Sequence, residues 1–239
     1  MHSSFRKARL IVVFGCLALA SGIASAAPKA VKASYSGYMN GMAIGAITEH
    51  FEIDGGNYRI LSETKPLGLA ALIQRQPLRF LSKGQVTREG LRPLHFEARR
   101  SAADPPSVTA DFDWTNAQLV LKHKGKTESL PVSAGTQDRL SIMYQFMFMS
   151  LEKSRQVEFA MTNGRKLDRY RYRITHDVEL DTPIGRVKTL HLVKQREPGD
   201  TTTEVWLSTQ HQLLPVKMLI VEKDGVRFDQ VIQSLELRD

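Results

Sequence analysis

The chain has 239 residues and carries 33 Lys and Arg against 25 Asp and Glu, a formal net charge of +8. Hydrophobic residues make up 42% and charged residues 24%, a globular composition that excludes wholesale disorder, collagen and coiled coil. A single Cys excludes an internal disulfide framework and any Cys-based zinc site.

The first segment reads as an address. Arg6, Lys7 and Arg9 precede an apolar run from Leu10 to Ala20, and Ala24-Ser25-Ala26 then supplies small residues in an A-x-A pattern. This is the layout of a secretory signal peptide, 1–26, with cleavage after Ala26. The run is shorter than the roughly twenty apolar residues of a membrane-spanning helix. The minority alternative is lipidation of Cys16 after Val13-Phe14-Gly15, which would anchor the chain to a membrane. Against it, the apolar run continues through Leu17 to Ala20, where a polar tether belongs. Loss of Arg6, Lys7 and Arg9 lowers the net charge from +8 to +5, because 1–26 holds no acid. Residues 27–239 then contain no Cys, which suits an oxidising bacterial periplasm.

Residues 27–239 read as one domain, soluble or peripheral to a membrane. Ala27 to Ala33 reads as a short mobile tail. Phe51 and Ile53 then alternate with polar neighbours up to the turn Asp54-Gly55-Gly56-Asn57, and Tyr58 and Ile60 resume the alternation, giving a β-hairpin. Pro66 to Gln74 reads as one or two turns of helix or a hydrophobic loop. Leu78 to Thr87, Leu94 to Arg100, Val108 to Trp114 and Leu119 to His123 read as further strands. Val157 to Met161 and Lys166 to Leu180 flank an Asn163-Gly164 turn, a second strong hairpin. Arg186 to Gln195, Thr201 to Leu207, Val216 to Glu222 and Val226 to Leu237 complete the series, with Asp224-Gly225 as the last turn. Short strands at regular spacing with tight turns predict an antiparallel, highly curved sheet or incomplete barrel. A two-sheet β-sandwich is the alternative.

One segment breaks the pattern. Between Leu140 and Leu151 only Ser141, Gln145 and Ser150 are polar, which predicts a helix over 136–152 with Thr136 or Asp138 as its cap. Lacking a polar face, it must be covered on most sides, in the concave side of the sheet. Its Met143, Phe146, Met147 and Met149 are the candidate lining of a cavity for an apolar ligand, since Met adapts to varied shapes. The other reading of the same residues is packed core. A second candidate is the basic row Arg169, Arg171 and Arg173, on the strand face opposite Tyr170, Tyr172 and Ile174. It is either a solvated outer face or an anion-facing ridge for lipid headgroups, phosphorylated glycans or an acidic partner. Nucleic acid does not suit an exported chain whose aromatics alternate away from its cations.

No catalytic constellation stands out. The sequence has no HExxH, GxSxG, P-loop or dinucleotide fingerprint, and its histidines stand at no metal-ligand spacing. No catalytic residue, metal site or cofactor is therefore assigned.

Three stretches resemble an uncharacterised family of exported proteobacterial proteins, the domain of unknown function 3108. They are Gln137-Asp138-Arg139-Leu140-Ser141; Asp181-Thr182-Pro183-Ile184-Gly185 with Val187 to Val193; and Val205-Trp206-Leu207-Ser208 with Leu213-Leu214-Pro215-Val216-Lys217. The resemblance implies an exported, β-rich domain and brings no activity and no catalytic residues. The layout is more loosely similar to the periplasmic lipoprotein carriers, whose half-open barrel is lidded by helices. The expected function is a non-enzymatic periplasmic binding or carrier module for an apolar or amphiphilic envelope ligand such as a lipid. An envelope scaffold with a filled core comes second, and a hydrolase acting on envelope polymers third.

Overall fold

The computed structural model describes residues 27–73, 76–100, 104–195 and 200–239. The expected signal peptide and Cys16 lie outside the described residues. Among these, β1 (Ala30–Met39), β2 (Met42–Asp54) and β3 (Asn57–Pro66) are followed by a single helical turn, α1 (Ala70–Ile73). Next come β4 (Leu78–Thr87), β5 (Gly90–Arg99), β6 (Val108–Asp113), β7 (Gln118–His123) and β8 (Lys126–Pro131). A two-residue strand, β9 (Gln137–Asp138), leads into α2 (Ser141–Gln145) and a 3-10 turn, Phe146–Phe148. The chain closes with β10 (Gln156–Thr162), β11 (Leu167–Thr182), β12 (Gly185–Lys194), β13 (Thr202–Ser208), β14 (Leu214–Val221) and β15 (Arg227–Arg238).

All fifteen strands form one sheet, ordered β8 to β1, then β15 down to β9. Every pairing is antiparallel except β9 with β10, and the first strand pairs with the last, Val31 opposite Leu237. The sheet must curl. Laid flat, fifteen strands would hold their outer edges about 67 Å apart. Yet edge strands β8 and β9 are joined only by residues 132–136, which reach about 20 Å at full extension. The sheet is therefore an open curl and not a sandwich.

The turn between β10 and β11 shows the same closure. Gly164 has φ +81°, and a Cβ there would collide with the Val108 side chain of β6 and press on Phe96 of β5. Only glycine supplies both that dihedral and that clearance. The far half of the sheet thus rests on the near half at this turn.

The helical segment lies inside the curl and is shorter than the sequence predicts. The Asp138 carboxylate accepts the N–H groups of Leu140 (2.8 Å) and Ser141 (2.9 Å), so the helix cannot begin before this turn. Gln137 and Asp138 pair instead with Met161 and Thr162 of β10. At the other end the last turn tightens to 3-10 and Met149 is extended, at φ −103° and ψ 139°. The all-round apolar character has a geometric cause: neighbouring residues serve different cores. Tyr144 stacks on Phe51 of β2 at 4.9 Å, in a cluster with Tyr58, Ile60, Phe96, Leu119 and Leu121. Ile142 and Phe146 join Phe159, Leu192 and Leu207 from the other half, and Met143 packs against both clusters. Gln145 ties the helix to β5, accepting the Leu91 N–H (2.6 Å) and donating to the Glu89 carbonyl (2.8 Å). Gly90, φ +103°, leaves room for that amide. A third cluster gathers Ala33, Tyr35, Val187, Trp206, Val216 and Ile232 around β1, β14 and β15.

One further sequence expectation fails here, and one strand has no counterpart in the sequence reading. The stretch 27–33 is no tail: it enters β1, with Val31 and Ala33 at 2% and 1% exposure. β8 was not expected at all, having no apolar alternation and being solvated on nearly every residue.

Candidate functional site

Between the helical segment and the sheet lies a cavity of about 1260 Å³. Cross-strand register builds one wall. Glu49 of β2 lies opposite Ser62 of β3, and Ser62 opposite Phe80 of β4, so the three side chains share one face in a row. Tyr35, Ile47 and Thr64 make the adjoining row by the same rule. Apolar lining comes from Ile142 and Met143 of α2, Phe159 and Met161 of β10, and Met218 of β14, together with the charged Glu158, Lys166, Arg171 and Lys217 from the same half of the sheet. Phe159 is held by Tyr172 at 5.6 Å, Tyr170 at 6.1 Å and the edge of Phe146 at 6.0 Å. A rigid aromatic stack therefore backs a surface of adaptable Met side chains.

Polar groups converge on the first wall. Glu49 is 8% exposed, and one carboxylate oxygen accepts from Tyr144 Oη (3.0 Å), the other from Ser62 Oγ (3.1 Å). Burial raises its pKa above the ordinary glutamate value, while those hydrogen bonds and Arg139 act to lower it. The same burial, with Glu49 nearby, pushes the Tyr144 and Tyr35 phenols well up. Tyr35 donates to the Pro215 carbonyl at 3.1 Å. Asp138, fully buried beside this site, accepts from Ser82 Oγ at 2.6 Å as well as from its two backbone donors, and burial raises its pKa too. Its acceptor capacity goes to the start of the helix, a structural role. Arg139 follows. Its guanidinium stands 4.6 Å over the Phe80 ring and lines the cavity; the residue keeps an exposed surface there, while desolvation by the protein packed around it lowers its pKa.

The structure distributes the sequence candidates unevenly. Met143 lines the cavity. Phe146 is 1% exposed within the second core cluster, behind the cavity wall, and Met147 and Met149 pack against the first and second clusters. Arg169 and Arg171 border the cavity, both facing Glu158, at 4.0 and 2.8 Å. Arg173 lies farther along the same exposed face, and Tyr172 and Ile174 are buried on the other. Glu49 and Arg139 escaped the sequence reading. Parity could have found the first, since Glu49 lies two residues before Phe51 and so shares its inward face. Arg139 gives no such signal.

Other polar clusters lie elsewhere. His95 bonds Asp111 at 2.6 Å, His191 bonds Glu204 at 2.7 Å, and Ser208 Oγ meets His211 Nδ1 at 2.8 Å with Ser208 fully buried. Among the described residues no three His, Cys, Asp or Glu side chains stand together to hold a metal ion, and no helix is long and apolar enough to cross a membrane.

Comparison with known proteins gives a fold and no activity. A β-barrel-like protein of the domain of unknown function 1849 from Brucella abortus is 8% identical, with 89% of this chain and 99% of that one covered at a TM-score of 0.55. A putative exported protein with a YmcC-like fold from Bacteroides fragilis is 8% identical over 87% and 96%, at a TM-score of 0.36. A putative outer membrane lipoprotein-sorting protein domain from Vibrio parahaemolyticus is 8% identical over 87% and 85%, at 0.26. The first shows that the open curl recurs as a barrel-like fold; the others are too distant to add to it. No curated protein matches the chain. The family model of DUF3108, a protein of unknown function, matches residues 34–231, nearly the whole sheet, and the chain belongs to that family.

Proposed function

We propose that this chain is an exported, non-enzymatic binding module that carries an amphiphilic cell-envelope ligand inside its curled sheet. The observation behind the proposal is the cavity, whose volume is that of a large small-molecule site and whose lining combines an apolar set, Ile142, Met143, Phe159, Met161 and Met218, with polar and charged side chains. A scaffold with a filled core has no use for such a volume. Export follows from the segment 1–26. Arg169, Arg171 and Arg173 give the outer face of β11 a row of cations suited to anionic headgroups during peripheral contact with a membrane. A hydrolytic reading draws on Glu49, the perturbed carboxyl in the cavity. Both its oxygens are committed to Tyr144 and Ser62, and the Ser208–His211 pair lies in the β13–β14 turn and not in the cavity lining, so the binding reading is favoured. The test is titration of the purified chain with a neutral, environment-sensitive apolar fluorophore. Saturable uptake at about one site per chain is expected. Absence of uptake, with the chain folded, would contradict the proposal.

A further inference from the structure

Arg139 differs from the other cations around the cavity. Lys166 pairs with Asp168, Arg169 and Arg171 with Glu158, Lys217 with Asp229 and Lys223 with Asp200, while Lys194 reaches the Thr201 carbonyl. Arg139 has no hydrogen-bond acceptor and no carboxylate within ion-pair distance among the described residues; of the charged groups that act on it, the carboxylates Glu49 and Asp138 are bonded to other donors and Arg165 is a like charge. Its position is nonetheless defined, because the Phe80 ring lies under the guanidinium at 4.6 Å. A planar fork of N–H donors, fixed from below, partly desolvated and without an acceptor, matches a bidentate oxyanion. Ile142, Met143, Phe159 and Met218 line the same cavity and offer a surface for hydrocarbon.

We infer that Arg139 anchors the anionic headgroup, carboxylate or phosphate, of an amphiphile whose apolar portion lies along Ile142, Met143, Phe159 and Met218. The inference rests on the carrier reading and adds the ligand's charge and orientation. Headgroup charge is tested by comparing a fluorescent polyene fatty acid with its methyl ester, and a fluorescent alkyl phosphate with the matching alcohol. At least one anion should bind about tenfold or more tighter than its neutral partner, the range for a hydrogen-bonded charge pair. Whichever arm shows the larger preference identifies the headgroup. Arg139→Gln should bring the anion's affinity down to that of the neutral probe and leave the neutral probe's own affinity within about twofold. Arg139→Lys should retain part of the preference, and Arg171→Gln, whose partner is Glu158, should retain all of it. The acid–ester and phosphate–alcohol comparisons need no variant, so a failure of Arg139→Gln to fold does not remove the test. Equal binding of anionic and neutral probes, or a preference that survives Arg139→Gln, overturns the anchor and leaves the carrier reading standing. Uptake of none of the four probes sinks both.

Discussion

Glu49 shows how a charged residue can sit inside this fold. Burial raises its folded-state pKa, so the folded chain holds that proton more tightly than the unfolded chain does. The associated stability is fully present below the unfolded glutamate pKa and is lost as pH rises through the raised folded value. Glu49→Gln removes this dependence. Relative to wild type, the variant should become progressively more stable as pH rises from about 4 to about 8, read by urea unfolding at several pH values. A constant difference would show that Glu49 titrates as an ordinary surface carboxyl. Phe146 and Met143 make a second contrast. Phe146 is enclosed by core, so Phe146→Ala should cost about 3–5 kcal/mol. Met143 borders existing empty space, and Met143→Ala should cost clearly less, below about 2 kcal/mol, because little new cavity is created. Equal costs would mean that the space beside Met143 is filled. Sequence made the burial of this segment legible but not its division of labour: Phe146, Met147 and Met149 share the composition of Met143 and differ only in which neighbour covers them.

Among the elements, hairpins were readable wherever a turn dipeptide met alternation. Asp54 and Asn57 end and begin β2 and β3, and Asn163-Gly164 separates β10 from β11, as the sequence indicates. β1 was missed at its start because Ala30, Lys32 and Ala33 have weak strand preference; pairing with β2 and β15 on both sides decides the matter. β8 was missed because an edge strand solvated on both faces needs no apolar period, and its Lys126, Glu128 and Pro131 discourage further strand addition. The helix is shorter than its apolar composition predicts because composition specifies cover, not direction. The β10–β11 turn offers the sharpest test at this scale. Gly164→Ala combines a positive φ with overpacking against Val108 and should destabilise by about 2–4 kcal/mol. A change within about 0.5 kcal/mol would show that the two halves of the sheet do not meet there. By contrast, Arg169→Gln, Arg171→Gln and Arg173→Gln should each stay within about 0.5 kcal/mol in chemical denaturation, since all three are exposed.

At the scale of the whole molecule, the pairing of first and last strands makes the sheet continuous, and the short link from β8 to β9 makes it curl. A curl of this size encloses more volume than its own side chains fill, and the helical segment occupies only part of it. What remains is lined by both apolar and polar side chains, a mixture that suits an amphiphile. The antiparallel curl was legible from strand spacing and turns. The cavity was not, because its walls come from residues far apart in sequence, such as Tyr35, Arg139 and Met218, whose meeting depends on closure. A ligand that binds only the folded chain should also raise its stability in proportion to occupancy. The most direct measurement is mass spectrometry of the organic extract of the chain purified from its native compartment without detergent. The account predicts an amphiphile at near one-to-one stoichiometry, and its loss after exhaustive delipidation should lower the unfolding temperature. Native protein that carries no such molecule, melts at the same temperature before and after extraction, and takes up no apolar probe would contradict the carrier reading.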